Sequence, residues 1–273
     1  MEKVTLDSGI TLAYDVRGNP SGVPVVFVHG FASRATGYEP VVQLMEDRYY
    51  MLLVDHRGHG DSDKPLGETY EETRSLYTIQ QIRDDLREAI EKIGFPKPFV
   101  LFGHSMGGMI ALEFVLAYPE LVTHLVLGST LATYYTDNMA ELVRQFRSGE
   151  MKADEGTYRM MIDMQYTLPF KRAHPEFPIG ELQDKLLVPP DVYIACIDNF
   201  VFHFDVRDRL GEIQQPTLVI VGNRDALIQW TNSEFLAEHI PNAKLVVIPK
   251  MNHVTIHETP EIMVKETDAL VGL

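Results

Sequence analysis

Cysteine is nearly absent. Cys196 is the only one in 273 residues, so no disulfide can form within the chain. It sits in the apolar stretch Val192-Tyr193-Ile194-Ala195-Cys196-Ile197, which reads as a packed, inert thiol. Positive charge is scarce: 24 Lys and Arg stand against 39 Asp and Glu, for a formal charge of −15. That balance argues against nucleic acid or an anionic membrane as partner and suits solubility. No apolar run reaches the roughly 18 residues a bilayer-spanning helix needs, so membrane insertion is not expected. The opening Met1-Glu2-Lys3-Val4-Thr5-Leu6 lacks a basic segment followed by an apolar one, so no signal peptide is read and a cytoplasmic location is expected. His-Glu-x-x-His spacing and cysteine pairs are both missing, so neither a metal nor another cofactor is expected. There is no internal repeat and no low-complexity tract.

What is present is an ordinary globular composition, 45% apolar and 23% charged, in a chain long enough for a large core. Asp7-Ser8-Gly9 between two short alternating runs predicts an opening hairpin. Nearly all-apolar runs follow at Val23 to Val28, Tyr49 to Val54, Phe99 to Phe102, Leu121 to Leu127, Pro216 to Val221 and Ala243 to Ile248. These suit parallel strands buried on both faces. Helical periodicity lies between them, over Tyr38 to Met45, Ile79 to Ile93, Met106 to Ala117, Thr231 to His239 and from Pro260 onward. The alternation predicts an α/β sheet with helices on both faces. From Leu131 to Leu210 no buried-strand run occurs, and roughly 80 residues is too long for a loop in a compact domain. The expected organisation is therefore a core of residues 1–130 and 211–273 with a helical cap, 131–210, inserted after the sixth strand.

Gly103-His104-Ser105-Met106-Gly107 stands between the apolar run Phe99 to Phe102 and a helical run. On so tight a strand-to-helix turn a serine projects its hydroxyl out of the sheet, while the glycines relieve crowding. The pattern alone arises by chance in roughly one chain in ten of this length. Its partners matter more. A serine hydroxyl needs a base, usually a histidine held by a carboxylate, and in open α/β sheets these stand at the carboxyl ends of strands. Asp225 in the loop after Leu218 to Val221, and His253 in the loop after Leu245 to Ile248, meet that condition. Their order, Ser105, Asp225, His253, matches hydrolases that carry this elbow.

With these motifs the chain resembles the α/β-hydrolase superfamily, in the cap-bearing branch that holds esterases, lipases and lactonases. The resemblance covers nearly the whole length. It includes His29-Gly30-Phe31, Asp55-His56-Arg57-Gly58-His59-Gly60-Asp61-Ser62, Gly103 to Gly108, Pro216-Thr217 leading to Gly222 and Asp225, and His253 with Glu258 and Pro260 behind it. It implies the α/β-hydrolase fold, a mostly parallel eight-stranded sheet flanked by helices. It also implies Ser105 as nucleophile, His253 as base and then acid, and Asp225 as orienting carboxylate. The backbone N–H groups of Phe31 and Met106 would form the oxyanion hole.

The remaining histidines read as supporting residues. His29 would order the oxyanion loop, and His56 and His59 would be structural. His257 would share a face with His253, as a metal pair needs, if that stretch is helical. Without a His-Glu-x-x-His order or cysteine pairs, no metal site is expected. Asp205 reads as a salt-bridge residue. His104, Met160, Met164 and Tyr166 are expected substrate contacts, since methionine adapts its shape to varied apolar groups. Serine at the elbow excludes the relatives with an aspartate nucleophile, which form alkyl-enzyme esters. Hydrolysis of small to medium hydrophobic carboxylic esters is the favoured reading. Lactone or C–C bond hydrolysis on the same triad, a lyase using the same serine and histidine, and a slow-turnover ligand receptor stay open. The expected partner is a small-molecule ester, with monomer and homodimer undecided.

Overall fold

A computed structural model describes residues 1–273. The turn at Asp7-Ser8-Gly9 joins β1 (Glu2–Thr5) to β2 (Thr11–Gly18) as an antiparallel pair. The apolar runs then become β3 (Val23–Val28), β4 (Tyr49–Val54), β5 (Phe99–His104), β6 (Val122–Gly128), β7 (Thr217–Gly222) and β8 (Ala243–Ile248). All eight form one sheet in the order β1-β2-β4-β3-β5-β6-β7-β8, parallel from β4 to β8. Both faces of β5 and β7 are buried along their whole length, which is why these strands are apolar throughout instead of alternating.

Helices α1 (Glu39–Met45), α3 (Ile79–Ile93) and α4 (Met106–Ala117) pack against the sheet, while α2 (Tyr70–Ser75) packs on the helix Pro190–Phe202. On α3 the buried residues Ile79, Ile82, Leu86, Ala89 and Ile90 recur at helical spacing, and Thr78 caps its start by accepting from the Gln81 N–H. Five helices lie between β6 and β7: α5 (Asp137–Ser148), α6 (Glu155–Gln165), α7 (Leu168–Ala173), α8 (Glu176–Leu186) and α9 (Pro190–Phe202). The two ends of this segment are joined by a bridge between Thr133 and Asp205, with the Val206 N–H donating to the Ala132 carbonyl at 2.9 Å. Asp205 itself pairs with Arg207. The chain closes with α10 (Trp230–His239), the short α11 (Thr255–Glu258) and α12 (Pro260–Val271).

The strand order places the functional loops. β3 lies between β4 and β5, so the chain leaves β3 toward one edge of the sheet and returns to the other side at β5. The carboxyl ends of β3 and β5 therefore flank a crevice at the point where the winding reverses. Gly30-Phe31 and Ser105 are the residues that emerge there.

Candidate active site

Ser105 occupies a backbone conformation that L-residues avoid, with φ 56° and ψ −122°. Such strain, of order 1–3 kcal/mol, persists only where its surroundings enforce it. Here the Ser105 N–H donates to the Gly128 carbonyl at 2.9 Å, and the Ser105 carbonyl accepts from the Gly108 N–H and from Thr130 Oγ1. The neighbouring glycines allow the turn to close. A Cβ on Gly107 would overlap the Val28 carbonyl oxygen, and one on Gly103 would overlap the Gly107 carbonyl oxygen.

The hydroxyl so presented lies 3.1 Å from His253 Nε2, and His253 Nδ1 lies 2.8 Å from Asp225 Oδ2. Asp225 Oδ1 accepts the N–H groups of Leu227 at 2.9 Å and Ile228 at 2.8 Å, so its carboxylate is held at both oxygens. Burial works against the charge on Asp225, but the His253 contact and the two backbone donors outweigh it and hold the carboxyl below its ordinary value. The N–H groups of Phe31 and Met106 donate to no group of the protein. Met106 opens α4, so its N–H is one of the donors a helix start leaves free.

The long motif after β4 acts as a brace for the loop after β3. Asp55 is fully buried and accepts from the Ala35 N–H and the Asp61 N–H, both at 2.7 Å. The His56 N–H donates to His29 Nε2, and His29 Nδ1 donates to the Gly30 carbonyl at 2.8 Å. Burial lowers the His29 pKa to about 4, so the ring stays neutral and keeps one donor and one acceptor. Arg57 forms a buried two-pronged pair with Asp85 on α3, with Nη2 to Oδ1 at 2.6 Å, which ties this brace to the helical layer.

The space in front of Ser105 divides into two cavities. One is polar and is bounded by Gly30, Arg34, His104, Gln165, Glu181 and His257 among others. The second is mainly apolar, with Met106, Met109, Met161, Ile197, Phe200 and Ile228 on its walls. Ser105, Phe31 and His253 border both.

His104 lines the polar cavity, but its Nε2 donates to the His253 carbonyl at 3.0 Å; burial first, and then the neighbouring His253, lower its pKa to about 3. It therefore holds the histidine loop as well as facing the cavity. Met160 and Met164 border neither cavity; both are exposed, at 51% and 41%. The residues of α6 that face inward are Tyr158, Met161, Ile162 and Gln165. One residue along a helix turns the side chain by about 100°, so Met160 and Met164 lie on the next face, toward solvent. Tyr166 likewise borders neither cavity: it is buried, with its hydroxyl donating to His257 Nδ1 at 2.7 Å while His257 Nε2 donates to the Gly37 carbonyl. His257 is thus engaged at both ring nitrogens and does not pair with His253.

Gln165 is a residue the sequence did not single out. Its carbonyl accepts the His253 N–H at 3.1 Å, and Asn252 Nδ2 donates to the Met164 carbonyl at 2.7 Å. Thr167 donates through both N–H and Oγ1 to Glu258. The end of α6 and the start of α7 are in this way fastened to the loop that carries His253.

A family model described as "Alpha/beta hydrolase family" matches residues 25–266. Lipase 1 of Psychrobacter immobilis is 25% identical over 94% of this chain and 80% of its own length. The 3-oxoadipate enol-lactonase 2 of Acinetobacter baylyi is 23% identical over 96% and 93%. Among solved structures, a thermophilic esterase from Thermogutta terrifontis superposes with a TM-score of 0.87 at 28% identity, covering 100% of this chain and 98% of that one.

Proposed function

The chain belongs to the alpha/beta hydrolase family, and from that premise we propose that it is a serine hydrolase that cleaves carboxylic esters of small to medium hydrophobic substrates through an acyl-enzyme. The observation that carries this reading is the continuous line from Ser105 Oγ to His253 Nε2 at 3.1 Å and from His253 Nδ1 to Asp225 at 2.8 Å. His253 takes the Ser105 proton as Oγ bonds to the ester carbonyl carbon. The carbonyl oxygen, now negative, accepts from the free N–H groups of Phe31 and Met106, each such donor contributing about 3–4 kcal/mol to the barrier reduction. His253 then gives its proton to the departing alkoxide, and a water repeats the sequence on the acyl-enzyme. In this reading α5 to α9 are a cap, residues 131–210, over the sheet domain. The lipase and esterase relatives support the reaction class.

The apolar lining of the cavity beside Ser105 supports a hydrophobic substrate. In a series of p-nitrophenyl esters, kcat/KM is expected to peak between butyryl and octanoyl and to fall by about tenfold or more at palmitoyl. A monotonic rise to the longest chain would replace this reading with a lipase. Met161→Ala is expected to raise KM for the best ester by about tenfold, the loss of a few methylene contacts. Met160→Ala and Met164→Ala are expected to leave KM unchanged and stability within about 0.5 kcal/mol. Lactone hydrolysis is the second reading, favoured by the enol-lactonase relative, and a panel of lactones run beside the esters decides between them.

A further inference from the structure

Lys185 takes no part in the chemistry just described, yet it borders the apolar cavity beside Ser105. It stands on α8 and only 2% of the residue is exposed. Other lysines of the chain reach carboxylates at the surface, as Lys92 does with Asp7, Lys171 with Asp163 and Lys244 with Glu266. The Lys185 side chain makes no ion pair or hydrogen bond, although its charge acts on the neighbouring Asp184 carboxyl from beyond ion-pair distance. Arg34, on the polar cavity, is already paired with Asp61 and lies 3.8 Å from Asp55. The apolar cavity has no carboxylate on its wall. Glu181 and Asp184, which share α8 with Lys185, border the polar cavity or the groove outside it.

An ammonium enclosed to this degree, opposed only by an Asp184 carboxylate beyond contact distance, is held less well than one in a surface ion pair, and an apolar side chain of the same length would fill that wall at less cost. The arrangement is favourable once an anion enters the cavity, because a charge-assisted hydrogen bond is strong where water is excluded. Guidance from afar is not the reason, since a chain of net charge −15 repels anions. Selection is local to this cavity.

We propose that Lys185 anchors a carboxylate carried by the substrate, so that the ester cleaved at Ser105 bears a free acid at the end of the arm lodged in the apolar cavity. This rests on the ester-hydrolase reading. The substrate class is then a half-ester of a dicarboxylic acid, or an acyl ester of a hydroxy acid, according to which side of the scissile bond enters the cavity. A carboxylate outside that cavity gains nothing from Lys185.

The test compares kcat/KM for matched pairs in the wild type and in Lys185→Met. Monoethyl adipate against ethyl hexanoate places the charge on the acyl side, and 3-acetoxypropanoate against propyl acetate places it on the alcohol side. For one pair the anionic-to-neutral ratio is expected to fall by about 10- to 100-fold in Lys185→Met, the span of one charge-assisted hydrogen bond. Lys185→Arg is expected to retain part of the ratio. An equal ratio in wild type and Lys185→Met for both pairs overturns the anchor while leaving the ester-hydrolase reading intact. If the wild type cleaves none of the four esters, that reading fails, and calorimetric binding of monoethyl adipate and 3-acetoxypropanoate to Ser105→Ala, with and without Lys185→Met, decides the anchor alone. Binding of one of them weakened about 10- to 100-fold by the second substitution supports it, and unchanged or undetectable binding of both overturns it. Should Lys185→Met fail to fold by circular dichroism, Lys185→Gln takes its place in every arm.

Discussion

Ser105→Ala is expected to lower kcat for ester hydrolysis by about 10⁶-fold and to abolish labelling by a fluorophosphonate probe, and His253→Ala to do nearly the same, because nucleophile and base act as one unit. The residual rate would come from Phe31 and Met106, whose N–H groups remain in place when the side chain is removed. Ser105 also bears backbone strain at φ 56°, which suggests a control that separates chemistry from folding. Ser105→Gly should be as inactive as Ser105→Ala yet more stable by about 1 kcal/mol or more, since glycine accepts this conformation without a Cβ clash. The readouts are kcat, probe labelling on a gel, and the urea midpoint of the three proteins. Full labelling of Ser105→Ala would place the nucleophile elsewhere. Equal stability of the alanine and glycine variants would mean that the elbow stores no strain.

The sheet and most of its helices were legible because their residues leave few alternatives. Ala243 to Ile248 and Ile79 to Ile93 read with the boundaries the structure has, since an apolar run and a helical periodicity mark them without help from distant packing. That Ser105, Asp225 and His253 come within hydrogen-bond reach was legible for a related reason: the loops at the carboxyl ends of nearby parallel strands lie side by side, and each residue follows such a strand. The helix Tyr70–Ser75 was missed although its signal is present, a capping box between Thr69 and Glu72. The failures gather in residues 131–210. There apolar side chains occupy more than one face of a helix, so periodicity leaves the rotation of α6 to its packing partners. A shift of one residue separated Met160 from Met161 and Met164 from Gln165, and it is Met161 and Gln165 that face the cavity. Lys185 was illegible for the opposite reason. A lysine in a helix is ordinarily a solvated one, and only the placement of α8 over the site buries it.

Asp225→Asn is expected to lower kcat by about 10⁴-fold while leaving the fold intact, and the two backbone donors at Asp225 explain why the loss is so large. Oδ1 accepts from the Leu227 and Ile228 N–H groups, and those donors require an oxygen in that place. An asparagine must therefore direct its carbonyl oxygen to them and its NH₂ to His253 Nδ1. His253 Nδ1 then has to accept, the ring proton moves to Nε2, and Nε2 can no longer receive the proton of Ser105 3.1 Å away. Nitrogen-15 chemical shifts of the His253 ring should report that change of tautomer directly, and an unchanged tautomer with full activity would remove Asp225 from its orienting role. The same substitution has a thermodynamic signature. The folded Asp225 carboxyl sits below its ordinary value despite burial, so its contacts add stability above that ordinary value and lose it as pH falls through the folded one. Thermal midpoints measured from neutral pH into acid should therefore fall less steeply for Asp225→Asn than for the wild type, because the variant has no carboxylate there to protonate.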